Sequence, residues 1–271
     1  MKELREYEIA FESIAVHCWE GGTGFPLLVM HGSGPGVSTL GNWRHVLPAL
    51  AKRYRVLAFD LIGFGLSGRK PSEPYFDLDL WQRQAEHLLK RLGDGPVGII
   101  AHSLSSAVVL RLAAVNPRVT KLLLTGPMGG AFTINPYLTG AWATPRTGDE
   151  LRTIFEPAVY DRSAITDEFV TNRMQILAKD DYGSYFAKMF AGDRQRYVDA
   201  CVVPRETLAQ IRADVLMMHG RNDTMVPFEV SSLAISRSIP QADFMAIGRC
   251  GHGIAQEQPQ KFLHAAEAFF G

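Results

Sequence analysis

The amino-acid sequence predicts an α/β fold in which a mostly parallel central sheet carries helices on both faces. Short apolar runs of strand length alternate along the chain with amphipathic stretches of helical length. Strands that alternate with helices pair in parallel and are covered by those helices on both sides. A break in this alternation in the middle of the chain predicts, in addition, an inserted helical cap.

The elements can be taken in chain order. Apolar runs typical of strands lie at residues 7–11, 14–19, 26–31, 55–60, 97–103, 119–125, 213–219 and 243–248. Patterns typical of helices lie at residues 43–53, 80–92, 105–115, 228–238 and 259–270. The continuously apolar runs indicate strands that are buried on both faces, which is the usual state of a strand in a parallel sheet.

The chain divides into a core and a cap. From about residue 128 to residue 204, helical, polar and aromatic stretches replace the alternation, with prolines as interruptions. We therefore predict one core domain formed by residues 1–127 and 205–271. Residues 128–204 are predicted to form a helical cap, or lid.

Composition limits the partners and the location. Among 271 residues, 28 Lys and Arg balance 28 Asp and Glu, so no long-range field attracts nucleic acid or an anionic membrane. No apolar run approaches the length of a membrane span. The start of the chain lacks the apolar segment of a secretory signal, and the three cysteines are far apart. We therefore expect a cytoplasmic protein without nucleic-acid or membrane partners.

Ser103 is the candidate nucleophile. It lies where a buried strand runs directly into a helix, in the stretch Ala-His-Ser-Leu-Ser at residues 101–105. A serine on such a turn is held at the top of the sheet, and the N-terminus of the new helix points towards it. The usual signature is G-x-S-x-G, and the small residues Ala101 and Ser105 stand here in place of its glycines.

Two further residues complete a candidate catalytic triad. Asp223 follows the strand at 213–219, and His252 follows the strand at 243–248. The order Ser, acid, His, each in a loop after a strand, is the order in which this chemistry occurs on such a sheet. The imidazole would take the proton of Ser103, while the carboxylate would fix the imidazole tautomer. A turn-capping Asp and a surface His are the structural alternatives.

A glycine-rich loop at residues 31–36, with the sequence His-Gly-Ser-Gly-Pro-Gly, follows the strand at 26–31. Glycines in such a loop let backbone N–H groups point into a cavity, as an oxyanion hole requires. We assign the two donors to the backbone N–H groups of Ser33 and Leu104. An ordinary Gly/Pro turn is the alternative.

Cofactor and metal sites are not expected. The stretch Gly63–Gly68 matches G-x-G-x-x-G, but prolines follow it where a dinucleotide-binding motif needs a helix. The eight histidines lack metal-ligand spacing, and we interpret His219 as a strand-end residue rather than a ligand.

With these residues identified, the chain resembles the meta-cleavage product hydrolases. These α/β-hydrolases cut a carbon–carbon bond in 2-hydroxy-6-oxohexa-2,4-dienoates during bacterial breakdown of aromatic compounds. The matching stretches are residues 31–44, 60–70, 194–200, 219–227 and 249–253. The resemblance implies the α/β-hydrolase fold, a small-molecule substrate, no cofactor and a homo-oligomer.

The resemblance also implies a substrate-binding set. The stretch at 167–174 looks like the cap helix that carries the substrate-binding arginine of the family, which would be Arg173. A guanidinium binds a carboxylate and a neighbouring 2-oxo group in a planar, bidentate fashion. Asn42, Gly32 and His102 complete the expected set. A solvated helix residue is the alternative for Arg173.

The sequence departs from the family at positions near the substrate. His102 stands where the family has Asn, Ser105 and Ser106 stand where it has two glycines, and Gly253 stands where it has Trp. We expect His102 to donate a hydrogen bond in place of the amide, with a charge that depends on pH near neutrality. Gly253 is expected to enlarge the pocket.

Three functions remain open at this point. The first is C–C hydrolysis of dienoate ring-fission products, with attack either by Ser103 or by a water that His252 activates. The second is a carboxylesterase or lactonase that uses the same triad on an ordinary acyl substrate. The third is a non-catalytic ligand-binding role.

Overall fold

The computed structural model describes residues 4–271 and contains one sheet of eight strands in the order β1-β2-β4-β3-β5-β6-β7-β8. The strands are β1 Arg5–Phe11, β2 Ile14–Gly21, β3 Pro26–Met30, β4 Arg55–Phe59, β5 Val97–His102, β6 Val119–Thr125, β7 Asp214–Gly220 and β8 Ala242–Ile247. Strands β3 to β8 pair in parallel, whereas β2 pairs antiparallel with both β1 and β4. The predicted mostly parallel α/β sheet is confirmed.

Helices cover both faces of this sheet. They are α1 Thr39–Trp43, α2 Leu47–Leu50, α3 Leu78–Leu89, α4 Leu104–Val115, α5 Pro136–Ala141, α6 Gly148–Phe155, α7 Asp167–Ala178, α8 Tyr182–Met189, α9 Gln195–Cys201, α10 Arg205–Leu208, α11 Ser232–Ser236, α12 Ile254–Glu257 and α13 Pro259–Phe270. Alternate residues of β3 enter different cores: Leu28 and Met30 pack on one face, and Leu27 and Val29 on the other. Burial on both faces explains the continuous apolar run of this strand.

Two predicted helices are shorter in the structure. In the stretch 43–53, α1 already ends at Trp43 and only Leu47–Leu50 is helical, with Pro48, which lacks a backbone N–H, in the first turn of α2. The stretch 228–238 is helical only over Ser232–Ser236. Neither difference changes the sheet or the loops that follow its strands.

The insert between β6 and β7 contains helices α5 to α9, followed by the short α10. Its side chains Phe186, Met189 and Val198 are buried and join the main core cluster of the sheet domain. The boundaries at residues 128 and 204 stay a prediction. Within residues 4–271, no helix has both the length and the apolar character that crossing a bilayer would require.

The carboxyl ends of the parallel strands place the important loops together. Strand β3 lies between β4 and β5, so the chain winds away from β3 in opposite directions on its two sides. Crevices at such a reversal are the usual ligand sites of open α/β sheets. The loops after β3 and β5 meet there, and they carry the glycine-rich segment at 31–36 and Ser103.

Candidate active site

Ser103 occupies a strained turn between β5 and α4. Its backbone has φ 53° and ψ −118°, a conformation that non-glycine residues rarely adopt. Its N–H donates to the carbonyl of Thr125 over 3.0 Å, and its own carbonyl accepts the N–H of Met128 over 3.0 Å. Strain that the surrounding hydrogen bonds hold in place is typical of functional positions. The structure therefore places the candidate nucleophile on the sharp turn that the sequence predicts.

The glycine-rich loop passes directly over this serine. A Cβ atom added to Gly32 would lie 3.0 Å from Cβ of Ser103 and 2.8 Å from Cδ2 of His102. Only glycine fits such an approach without displacing a neighbour. The side chain of Asn42 fixes the loop, because its Oδ1 accepts the N–H of Gly32 over 2.9 Å. Asn42 and Gly32 thus shape the loop, and their part in substrate binding stays a prediction.

The two predicted oxyanion donors are the residue that follows Ser103 and a residue of the loop that passes over it. Leu104 is fully buried and is the first residue of α4, so its N–H has no partner in the preceding turn. Ser33 lies one residue beyond Gly32, and its hydroxyl accepts the indole N–H of the cap residue Trp142 over 2.9 Å. The hydroxyl of Ser105 donates to the carbonyl of His31, so the serine that stands in place of a glycine ties α4 to the same loop.

Asp223 and His252 form a close pair. Nδ1 of His252 lies 2.6 Å from Oδ2 of Asp223, whose side chain is fully buried. The other carboxylate oxygen, Oδ1, accepts the N–H groups of Met225 and Val226 over 2.8 and 3.0 Å. Burial acts to raise the pKa of Asp223, but the neighbouring His252 and the hydrogen bonds from two histidines outweigh it and hold that pKa well below its ordinary value. The carboxylate is therefore ionised.

Ser103 and His252 approach each other around the end of β6. The N–H of Ser103 donates a hydrogen bond to the carbonyl of Thr125. A Cβ added to Gly126, the residue after Thr125, would lie 2.9 Å from Nδ1 of His252. The ring of His102, beside the serine, lies 4.6 Å from the ring of His252. Within residues 4–271 the structure shows no hydrogen bond between the hydroxyl of Ser103 and His252. Such bonds are often long in unliganded enzymes and shorten when substrate binds.

His102 is neutral and does not act as expected. Its Nδ1 lies 3.0 Å from both the carbonyl and the hydroxyl of Thr125, so the ring hydrogen belongs on Nδ1. Burial, together with the neighbouring His252, lowers the pKa of His102 to about 3. The expected change of charge near neutral pH is therefore wrong. The remaining nitrogen, Nε2, carries no hydrogen and accepts rather than donates, which also contradicts the expected donor role.

The space beside Gly253 is small. A cavity of about 10 Å³ lies there, bounded by Asn42, His102 and Gln256 among others. A Cβ added to Gly253 would lie 2.5 Å from Oε1 of Gln256. The expected enlargement of the pocket is wrong at this point, because the side chain of Gln256 lies against Gly253 and only a small space is left.

Arg173, on cap helix α7, is a buried cation. Only 4% of the residue is exposed, and its guanidinium carbon lies 4.3 Å and 4.6 Å from the ring centroids of Phe155 and Phe169. One guanidinium nitrogen donates to the carbonyl of Pro35 over 2.8 Å, whereas Nε has no partner. No carboxylate in the described part of the chain lies within ion-pair distance of Arg173. Burial lowers its pKa to about 9, which leaves the group cationic at neutral pH.

One loop connects this cation with the serine. The loop contacts Ser103 at Gly32, and a Cβ added to Gly34 would lie 3.7 Å from a terminal nitrogen of Arg173. At Gly36 an added Cβ would lie 2.2 Å from the carbonyl of Arg173, so helix α7 packs directly on the loop. The structure thus brings the predicted arginine and the predicted nucleophile to the same short segment. The solvated alternative for Arg173 is excluded by its burial.

Two contacts of the site were not predicted. His219, which we interpreted as a strand-end residue, places Nε2 2.9 Å from Oδ2 of Asp223. Trp142 links the cap to Ser33. The spacing of four residues between His219 and Asp223 is the only signal in the sequence, and it carries no information without the turn that folds the loop back onto the strand.

The fold and the strained serine at the end of β5 define an α/β hydrolase. A family described as "Alpha/beta hydrolase family" matches residues 27–266. Among curated proteins, the 2-hydroxymuconate semialdehyde hydrolase of Pseudomonas sp. (strain CF600) is 34% identical over 94% of this chain and 90% of the relative. The 2-hydroxy-6-oxo-2,4-heptadienoate hydrolase of Pseudomonas putida is 33% identical over 92% of this chain and 90% of the relative.

Solved structures agree with these relatives. The meta-cleavage product hydrolase CumD from Pseudomonas fluorescens IP01, a variant in complex with acetates, superimposes with a TM-score of 0.91 at 31% identity and 97% coverage of both chains. The 2-hydroxy-6-oxo-6-phenylhexa-2,4-dienoate hydrolase BphD from Rhodococcus gives a TM-score of 0.90 at 27% identity and 99% coverage of both. The chain therefore belongs to the meta-cleavage product hydrolases of the α/β-hydrolase family, and it is a hydrolase.

Proposed function

We propose that this enzyme hydrolyses the C5–C6 bond of 2-hydroxy-6-oxohexa-2,4-dienoates with Ser103 as nucleophile, His252 as general base and Asp223 as its orienting acid. The observation that carries this proposal is the buried Arg173, a cation without a carboxylate partner, which packs against the same loop at 31–36 that contacts Ser103. An unpaired buried cation is costly unless a ligand neutralises it. The substrate carboxylate is such a ligand.

Arg173 has a chemical task beyond binding. Breaking the C5–C6 bond leaves an electron pair on C5, so the dienol must first become the 2-oxo form, with a proton added at C5. The 2-oxo group and the adjacent double bond then accept the electron pair. A guanidinium that binds the carboxylate and the 2-oxo oxygen stabilises the charge that develops there.

The hydrolytic half follows the usual serine chemistry. His252 removes the hydroxyl proton of Ser103, and the oxygen adds to the C6 carbonyl while the N–H groups of Ser33 and Leu104 stabilise the oxyanion. Collapse breaks the C5–C6 bond and releases the 2-hydroxypenta-2,4-dienoate after protonation. Water, activated by the same histidine, then cleaves the acyl–serine ester and yields a carboxylic acid.

The experiment compares two substrate classes. The yellow dienolates of 2-hydroxymuconate semialdehyde and 2-hydroxy-6-oxohepta-2,4-dienoate should lose colour with enzyme, and p-nitrophenyl acetate serves as a substrate without a carboxylate. Arg173→Ala should lower kcat/KM for the dienoates by about 100-fold or more, since it removes a charge-assisted bidentate contact. Its effect on the ester should be several-fold at most.

Arg194→Ala is the matched control. Arg194 is also a cap arginine that donates to backbone carbonyls, those of Phe190 and Thr139, but it lies outside the loop at 31–36. This variant should affect both substrates equally. A parallel loss of dienoate and ester activity in Arg173→Ala would reject the carboxylate-binding role, and ester activity that survives in Ser103→Ala would reject the nucleophile.

A carboxylesterase or lactonase remains the second candidate because of one observation. His102, at the position where the family has Asn, presents an acceptor nitrogen instead of an amide donor. Ester turnover without loss of colour from any dienoate would favour this function. We also propose a homo-oligomer, which sedimentation velocity of the purified protein tests.

A further inference from the structure

His219 lies at the end of β7, fully buried, and directs its ring towards the candidate acid. Its Nε2 lies 2.9 Å from Oδ2 of Asp223, and its Nδ1 lies 2.7 Å from the hydroxyl of Ser232. The same carboxylate oxygen receives Nδ1 of His252 over 2.6 Å. Two histidines therefore share one oxygen of Asp223.

The hydrogen-bond partners assign the hydrogen of His219. Nε2 lies 2.9 Å from the carbonyl of Val226 as well as from the carboxylate of Asp223, and both groups are acceptors only. The ring must therefore carry its hydrogen on Nε2. Nδ1 is then free to accept the hydroxyl hydrogen of Ser232, so every polar atom of the ring has a partner of the correct type.

We infer that His219 is a positioning residue for the proposed triad: it holds Oδ2 of Asp223 in line with His252 and takes up part of its negative charge. The inference rests on the proposed function, because it assigns Asp223 as the acid. Oδ1 is already held by the backbone N–H groups of Met225 and Val226. His219 is the additional group that fixes the oxygen facing the base.

Two consequences follow from sharing the oxygen. Without His219, Oδ2 gains freedom to leave the line of the His252 ring, and small displacements of this kind cost large factors in rate. The full charge of Oδ2 also faces His252 alone, so protonation of that ring becomes easier. Activity that depends on an unprotonated His252 then falls at a higher pH on the acid side.

The other titratable groups near the pair, among residues 4–271, do not contact His219. His102 packs against His252 at 4.6 Å and stays neutral. Cys250 and Glu257 lie in the segment that carries His252, and the N–H of Gly251 is bound to Glu257 over 2.8 Å. Apart from Asp223, the neighbours of His219 are Ser232, Val226 and the ring of Phe228, none of which is charged.

Three variants separate a positioning role from a structural one. His219→Leu removes both hydrogen bonds, whereas His219→Gln keeps an amide N–H at a similar reach and should still bind Asp223. Ser232→Ala removes the hydroxyl that donates to Nδ1 and helps to hold the ring of His219 in place. Leu123→Ala is the control for loss of stability alone. Leu123 is buried in the middle of β6, and its side chain belongs to the second core cluster, which contains Leu27 and Val29.

We expect His219→Leu to lower kcat by about 10- to 100-fold and to move the acid limb of the kcat/KM profile upward by about 0.5 to 1 pH unit. His219→Gln should recover most of the rate and keep the wild-type acid limb. Ser232→Ala should fall between them. If His219→Leu does not fold, the contrast between His219→Gln and Ser232→Ala carries the test. Equal rates and an unchanged acid limb in all variants would overturn the inference.

A spectroscopic measurement distinguishes failure of this inference from failure of the proposed function. The hydrogen between His252 and Asp223 should give a low-field proton resonance, assigned by its loss in Asp223→Asn. Removing His219 should shift or broaden that resonance, because the carboxylate oxygen then has one donor fewer and more freedom to move relative to the His252 ring. An enzyme that converts neither dienoates nor esters would reject the proposed function alone, while an unchanged resonance in His219→Leu would reject the role of His219.

Discussion

The indole N–H of Trp142 donates a hydrogen bond of 2.9 Å to the hydroxyl of Ser33. Trp142 belongs to the cap and stacks on Phe190, with ring centroids 4.9 Å apart, whereas Ser33 lies in the loop proposed to hold the oxyanion. A residue of the cap thus fixes the orientation of a loop in the core. The helical insert between β6 and β7 is therefore positioned to influence the proposed oxyanion hole.

Trp142→Phe tests this contact. The substitution keeps the aromatic stack and removes the indole donor, which leaves the hydroxyl of Ser33 without its cap partner. A hydrogen bond of this kind contributes about 1 kcal/mol, so we expect kcat/KM to fall about fivefold. Steady-state kinetics on both substrate classes measures the change.

Trp81→Phe is the matched control for that variant. Trp81 lies on α3, and its indole N–H donates to the carbonyl of Ile62 over the same distance, 2.9 Å. Both variants should lose similar stability in urea unfolding, but Trp81→Phe should keep its rate within about twofold. Equal losses of rate in the two variants would show that the contact between cap and loop has no part in catalysis.

Gly126 provides a second test, of the pair formed by Asp223 and His252. An alanine methyl there would lie 2.9 Å from Nδ1 of His252 and 3.4 Å from Oδ2 of Asp223. We expect Gly126→Ala to push the ring off the carboxylate and to lower kcat by about 100-fold, because the base loses its alignment. Kinetics with p-nitrophenyl acetate measures this loss without relying on the dienoate pocket.

Gly93→Ala is the control for the backbone strain that an alanine causes at a glycine with positive φ. Gly93 also has positive φ, 88°, but an added Cβ there meets nothing within 4 Å. Both alanines are strained, so both variants should be less stable than the wild type. Only Gly126→Ala should lose activity; a similar loss in Gly93→Ala would trace the effect to stability.

The sheet, the order of its loops and the strained serine follow from the sequence because they depend on local patterns. Apolar runs fix the buried strands, and a strand that enters a helix without a linker fixes the turn at Ser103. The break between Trp43 and Leu47 shows the limit of such patterns: the apolar spacing continues through it, but α1 ends there and Pro48, which lacks an N–H, lies in the first turn of a new helix.

Contacts made by atoms from distant segments could not be predicted in this way. The tautomer and neutrality of His102 depend on Thr125 and on complete burial. The small cavity at Gly253 depends on the side chain of Gln256. These are properties of the packed interior, and the residue type alone suggests the opposite in both places, a titrating histidine and an open pocket.

The neutrality of His102 leads to a prediction about stability and pH. In the folded protein its pKa is about 3, against an ordinary value of 6.5. As the pH falls below 6.5, the unfolded chain binds a proton that the folded chain does not, so this group makes the wild type less stable, by up to about 1.4 kcal/mol per pH unit. Above pH 6.5 the group is neutral in both states and has no such effect.

His102→Asn should therefore be relatively more stable in acid. The difference in unfolding free energy between variant and wild type should shift in favour of the variant by about 2 kcal/mol between pH 8 and pH 5, whatever its value at pH 8. Urea unfolding at both pH values measures it, and His264→Asn, at an exposed histidine, controls for the loss of one titratable group. If the difference for His102→Asn is the same at pH 8 and pH 5, the buried ring takes up its proton at an ordinary pH, and the low pKa of His102 is wrong.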